Sequence, residues 1–380
     1  MKKGILFSLL FATLLVFSAC GESAEEKAAK TPQGQFIQTV KNSSNVPDQS
    51  TYTTTFGVTD INIASTDPSA ASINLLKDIK FSMTTSTDEK IDKSETKLNV
   101  TSSNSLLPIS LDLDFLVNTK TGDAFIPLKS IVEPDESLLS YLDQATNGMW
   151  SKLNTQFPDL KNKYISTEEL TSTMTGETLP ETEVDTKKIE AASKDLNKRS
   201  SKLLNNYFAG LKEDRFTKAD NGTISVTLTK TDIANLTTEA VKLLDDEKVK
   251  EDFKVIIESQ GANSVTDFET TYADMKTSLE KASKELKDNK DIAIKFKVSI
   301  KPGKDNSLDN LTLNVKVEDK STADAPQSIA FKVETKAEEF IPVADFPTKD
   351  QIVTSEEISK IISDFYTQMY SGMDLTGSGL

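Results

Sequence analysis

Apolar and polar residues alternate along much of this chain. In the C-terminal half Ile292, Ile294, Phe296, Val298 and Ile300 alternate with small or charged residues. Leu311, Leu313, Val315 and Val317 do the same, as do Ile329, Phe331 and Val333. In the N-terminal half the same alternation runs through Ile79, Phe81 and Met83, then Leu98 and Val100, then Ile109, Leu111, Leu113, Phe115 and Val117. Period two puts one apolar face on a core and one polar face in water, the habit of antiparallel sheets. Tyr52 to Ile63 is a further strand candidate, as is Ile224 to Leu228, which follows the turn signal Asp220-Asn221-Gly222.

Other stretches carry apolar residues at helical spacing. Ile189 to Leu211, Asp232 to Leu244, Asp246 to Glu258 and Val265 to Leu286 are predicted helices. A last helix follows the capping pair Thr354 and Glu357 and is expected to bury Ile358, Ile361, Ile362, Phe365 and Met369. Ser166 and Glu169 repeat that spacing before Leu170.

The two halves resemble each other. Phe115, Val117, Thr119, Lys120, Phe125, Ile126 and Pro127 match Phe331, Val333, Thr335, Lys336, Phe340, Ile341 and Pro342 with one gap. Upstream, Leu98-Asn99-Val100 matches Leu313-Asn314-Val315, and Lys77-Asp78-Ile79 matches Lys290-Asp291-Ile292 at nearly equal spacing. The expected fold is therefore α+β, with two related modules. Each is an antiparallel β-sheet with one apolar face covered by helices. The first module spans 36–170 and the second, with a helical insertion, 187–370. A linker at 171–186 is rich in Thr and Glu, and 371–380 reads as a flexible tail.

The N-terminus has a different pattern. Lys2 and Lys3 precede an apolar run from Gly4 to Phe17, then Ser18, Ala19 and Cys20. That order is a signal peptide over 1–19 with a small-residue cleavage site. The run is shorter than the ~20 residues a membrane-spanning helix needs. Cys20 is the only cysteine and would be the first mature residue, so it is the expected lipidation site. Ser18-Ala19-Cys20 matches the bacterial lipobox, with Phe17 where leucine is usual. Two acyl chains on one cysteine would anchor stably where a single chain does not. Residues 20–35 are small, charged and aperiodic, and read as a flexible tether.

Composition narrows the chemistry. The chain has no histidine, and lipid would occupy its one thiol. Histidine-based general base catalysis, thiol catalysis and zinc or haem held by those ligands are thereby removed. No enzyme activity, cofactor or metal is expected. The chain holds 44 basic and 59 acidic residues, net −15. Lys2 and Lys3 leave with the signal, so 44 becomes 42 and the mature net charge is −17. Such a surface repels nucleic acid and anionic headgroups. Only Arg199 and Arg215 are arginine, a lysine bias that suggests a low-GC Gram-positive source.

Several side chains are weighed as sites. Asp112 and Asp114 share a strand face, but no calcium-loop glycine follows, so they read as solvated. Asp245-Asp246-Glu247 and Glu338-Glu339 read the same way. Trp150, the single tryptophan, is a packing residue or a cavity-edge aromatic. Lys295, Lys297, Lys316 and Lys332 lie on the polar strand face as solubility devices.

Trp150 with Leu153, then Lys163-Tyr164-Ile165 and Glu168-Glu169-Leu170, follow a rhythm similar to that of uncharacterised bacterial lipoproteins. With the lipobox, the acidic tether and one-faced sheets backed by helices, the chain resembles a tandem of LolA/LprG-like modules. That resemblance implies a curved half-barrel over helices and an apolar cavity for acyl chains. The expected function is a membrane-anchored, extracytoplasmic, non-enzymatic lipoprotein that binds or carries an apolar ligand such as a lipid. The membrane is its partner through Cys20, and nucleic acid is not a partner. Two alternatives stand beside it: a protein-interaction or spacer module with a solid core, and a signal peptide that yields a short apolar pheromone from Thr13 to Ala19.

Overall fold

The alternating stretches form strands, and they do so in one sheet. The structure, a computed structural model, describes residues 30–43, 46–63, 73–104, 109–146, 148–175, 186–259, 268–321 and 327–371. The expected signal peptide, Cys20 and most of the expected tether lie outside the described residues, as does the tail beyond Ser371. The strands are β1 (Gln49–Asn62), β2 (Ile79–Asp88), β3 (Lys93–Ser102), β4 (Ser110–Asn118), β5 (Ala124–Pro127), β6 (Tyr164–Ser166), β7 (Phe216–Lys218), β8 (Ile224–Thr229), β9 (Ile292–Pro302), β10 (Leu308–Asp319) and β11 (Gln327–Glu338). Their order is β6-β5-β4-β3-β2-β1-β11-β10-β9-β8-β7, an antiparallel sheet of 11 strands. Two separate sheets, one per module, were expected. The difference lies in β1 and β11, which are neighbours, so neither leaves the unpaired row of N–H and C=O groups that an edge strand exposes.

The helices are α1 (Pro32–Asn42), α2 (Lys129–Val132), α3 (Glu136–Ala145), α4 (Met149–Gln156), α5 (Thr167–Thr175), α6 (Thr186–Ala209), α7 (Lys230–Leu244), α8 (Glu247–Ser259), α9 (Phe268–Asp288) and α10 (Ser355–Ser371). Compact units do not follow the spans 36–170 and 187–370. Unit 1 comprises Met1–Pro47, Thr54–Lys77 and Val184–Ala337. Unit 2 comprises Asp48–Thr53, Asp78–Glu183 and Glu338–Leu380.

Unit 1 has a filled core. The inward residues of β8 to β10 meet Leu204 and Phe208 of α6, Ile233 and Leu236 of α7 and Leu286 of α9. A void large enough for an acyl chain would leave its lining accessible. Instead Val298 and Leu313 are 0% exposed. Residues 31–35, expected in the tether, belong to this unit. Pro32 sits in the first turn of α1, where its missing N–H costs nothing. Thr31 caps the helix by accepting from the Gly34 N–H at 3.1 Å. Gln33 donates to the Phe208 and Leu211 carbonyls at 2.9 and 2.8 Å, satisfying acceptors at the end of α6. The β7–β8 hairpin turns at Gly222, whose φ of 83° suits glycine.

Arg215 and Asp232 form the best-built ion pair of unit 1. Two guanidinium nitrogens reach the carboxylate at 2.9 and 2.7 Å. Asp232 also closes a capping box with Thr229 at the start of α7. Burial alone would raise this carboxyl, but the hydrogen bonds from Arg215 and Thr229 overcome it and hold the group at about 2. A depressed carboxyl stabilises the fold fully above its unfolded value of about 3.9 and loses that effect as pH falls through the folded value. The expected result is a smaller acid sensitivity for Asp232→Asn. Denaturant midpoints between about pH 2 and pH 5 should fall less steeply in the variant than in the native protein. Parallel slopes would remove Asp232 from the acid transition.

Unit 2 has a smaller buried cluster of Val132, Leu160, Val353 and Ile358, with Leu128, Phe157, Ile165 and Ile361 against it. The Thr354–Glu357 capping box forms as expected, with the Glu357 N–H on Thr354 Oγ1 at 3.2 Å and the Thr354 N–H on the Glu357 carboxylate at 3.0 Å. Of its predicted apolar stripe, Ile358 is buried and Ile361 half-buried, whereas Ile362 is exposed. The side chains of Phe365 and Met369 lie outside the described residues. The Ser166–Glu169 pair is only half a capping box. Ser166 Oγ accepts from the Glu169 N–H at 3.1 Å, but the Glu169 carboxylate takes the Ser355 N–H at 2.6 Å, at the start of α10. Residues 171–175, expected in the linker, continue α5, and 176–185 lie outside the described residues.

The matched sequences of the two halves lie in comparable three-strand meanders with different registers. Val315 faces Phe296 on one side and Phe331 on the other. Its sequence match Val100 faces Phe81 and Leu111. Each offset from the sequence alignment is an even number of residues, so the apolar residues keep their face while changing partners.

Candidate ligand-binding face

In unit 2 the strands β2, β3 and β4 sort their side chains completely by charge. Antiparallel pairing sets residues on one face in cross-strand rungs. Phe81, Val100 and Leu111 form one rung, and Met83, Leu98 and Leu113 the next. Thr85, Thr96 and Phe115 follow, then Thr87, Ser94 and Val117. None of these residues is charged. The opposite face carries Lys80, Asp88, Lys93, Glu95, Lys97, Asp112 and Asp114.

This uncharged face is not closed as its counterpart in unit 1 is. Phe81 is 38% exposed and Met83 is 42% exposed. Phe296, which faces Val315 as Phe81 faces Val100, is 2% exposed. Leu98, Val100, Leu111, Leu113 and Phe115 are half-buried. A contiguous apolar surface left open to water favours a covering ligand or partner.

The opposite face is covered in part by the chain itself, while Lys80, Lys97 and Asp112 on it stay exposed. The segment after β11 crosses it, with the Ile341 N–H on Thr51 Oγ1 at 2.9 Å and the Ala344 N–H on the Glu95 carboxylate at 3.1 Å. Lys93 pairs with Asp345 at 2.8 Å and lies 5.0 Å over the Phe346 ring. Asp112 accepts from Asn99 Nδ2 at 2.6 Å. Partial burial raises the Asp114 carboxyl, a push that Lys97 opposes. These two carboxylates are thus parts of a polar lattice away from the apolar rungs, with Asp112 exposed to solvent.

The other sequence candidates are spread through the molecule. Trp150 is half-buried and donates its indole N–H to the Ile131 carbonyl at 2.9 Å, which ties α4 to α2 as a packing residue. Asp246 pairs with Arg199 at 2.5 Å, and Asp245 pairs with Lys276. Glu338 and Glu339 are exposed. Of the strand lysines, Lys316 pairs with Glu318 at 2.8 Å and Lys332 with Glu334 at 2.5 Å. The Lys332 contact holds Glu334 at about 2. Cys20 lies outside the described residues.

Two clefts have charged rims. One of about 1010 Å³ in unit 1 runs between α6 and α7, with Lys198, Arg199, Lys202 and Lys242 over Leu203, Tyr207 and Leu243. Arg199 is bound to Asp195 and Asp246, and Lys242 to Glu239. One of about 370 Å³ in unit 2 has Phe157, Pro158, Leu160 and Ile361 beside Lys163, Glu357 and Lys360. Among the described residues no group of three His, Cys, Asp or Glu side chains could hold a metal ion, and no helix is long and apolar enough to cross a membrane.

That the uncharged face of β2 to β4 stays partly exposed escaped the sequence reading. Its alternation was visible, but alternation is the same for a covered and an open sheet.

No family model, no curated protein and no solved structure matches the chain.

Proposed function

We propose that this chain is a lipid-anchored, non-enzymatic protein of the extracytoplasmic face of a bacterial membrane, which binds an apolar ligand on the uncharged face of β2 to β4. The open face itself, where Phe81 and Met83 are 38% and 42% exposed, is the observation that carries the reading. The signal peptide and Cys20 support the location, since a lipid anchor would hold the face next to a source of acyl chains. The absence of histidine supports a binding role over catalysis. Apolar sites are lined mainly by hydrophobic and aromatic groups, as these rungs are.

The filled core of unit 1 favours a second reading for that unit alone, as an interaction or spacer element. Native mass spectrometry of the protein extracted from its membrane separates the two. Under the ligand reading the protein carries co-purified lipid, and Met83→Lys removes it. Lipid-free native protein that also fails to bind fluorescent acyl probes would leave only the interaction reading.

A further inference from the structure

The rungs of the open face are graded, and the gradient describes a ligand. The rungs of Phe81 and Met83 are wholly apolar. In the next two, β2 and β3 present only hydroxyls. Thr85 and Thr96 lie 3.0 Å apart, Oγ1 to Oγ1, and Thr87 Oγ1 lies 3.2 Å from Ser94 Oγ. When two hydroxyls bond each other, one donates and the other keeps its proton, and both retain lone pairs. The Thr85–Thr96 pair can therefore offer a donor and an acceptor to a third group, whereas Ser94 also donates to the Ser86 carbonyl at 3.2 Å, so the Thr87–Ser94 pair offers acceptors.

What the gradient lacks is equally specific. Within the three strands an anionic head placed there would find no cation, because Lys80, Lys93 and Lys97 point to the other face. A cationic or zwitterionic head would find no carboxylate within those strands, because Asp88, Glu95, Asp112 and Asp114 are also on that other face. Moving an unpaired charge onto such a surface costs its hydration with nothing in return. The chain's net charge of −15 adds long-range repulsion of anions.

Resting on the reading of this face as the ligand site, we propose that its ligand is a neutral amphiphile: an acyl chain on the apolar rungs, with an uncharged hydroxyl or ester head on the threonine and serine rungs. A second copy of the chain or a partner helix would not need the hydroxyl end.

The test uses the full-length chain carrying Cys20→Ser, so that no acyl group of its own competes. Native mass spectrometry at about pH 8 compares 1-monooleoylglycerol, oleate and oleoyl-lysophosphatidylglycerol. The neutral lipid should bind one to one, at least about ten-fold more tightly than either anion. The double variant Thr85→Val/Thr96→Val keeps the side-chain volumes. It should weaken monooleoylglycerol about five-fold, the worth of one hydrogen bond. An apolar hydrocarbon probe should bind it unchanged. Met83→Lys, at an exposed position, should abolish binding of all of them with an unchanged melting temperature. Anions bound as tightly as the neutral lipid, or an unaffected double variant, would overturn the head-group assignment and leave the face as a ligand site. No binding by any amphiphile, full binding by Met83→Lys, or a lipid-free dimer would overturn the ligand site itself.

Discussion

Phe36→Ala is expected to destabilise unit 1 by ~3–5 kcal/mol, the range for truncating a fully buried aromatic. Phe36 is 0% exposed and lies edge-on to Phe208 and Phe216, with centroids 4.9 and 5.4 Å apart. Its loss would open a cavity where α1, α6 and β7 meet, leaving Val40 and the Gln33 hydrogen bonds to hold a helix of 11 residues. The effect should be read as a lower denaturant midpoint with unchanged slope. A control at the open face sharpens it, because Met83→Ala should cost below about 1 kcal/mol. A loss for Phe36→Ala of that same small size would mean that α1 is not part of the cooperative core.

The second large effect concerns location. Cys20→Ala should abolish acylation and leave the protein either as an uncleaved precursor or free in the medium. The motivation is the order of basic, apolar and small residues that ends at the only cysteine. A thioether-linked diacylglyceryl group carries the two chains that stable anchoring needs. Metabolic labelling with a radioactive fatty acid, followed by membrane fractionation, measures it. Label retained by the variant would exclude Cys20 as the acceptor.

The strands with a long alternating pattern were legible because burial of one face demands it. Thus β9, β10 and β11 were visible, as were the helices α6 to α10. The short strands β5, β6 and β7 were not, because three or four residues cannot display a period. α1 was hidden by Pro32 and Gly34, which read as linker residues. Pro32 occupies the one turn where proline is harmless, and Phe36 and Val40, four apart, supply the buried stripe. The candidate face was half legible. Phe81 and Phe296 stand in equally regular strands, yet the first is 38% exposed and the second 2%. Covering depends on which helices arrive from elsewhere in the chain, and no local pattern records that. Register was hidden for a related reason, since an even slip leaves every apolar residue on its proper side.

The early start of α1 has a consequence for reach. α1 begins at the Thr31 cap, so only the residues between Cys20 and Thr31 separate the proposed lipidation site from its first turn. However they are arranged, a fully extended chain of that length covers at most about 40 Å. If Cys20 carries the proposed anchor, Phe36 and its neighbours are leashed within a layer roughly as deep as the membrane is thick. A ligand delivered by this protein would thus be handed over at the membrane surface, to an acceptor that itself comes to that surface.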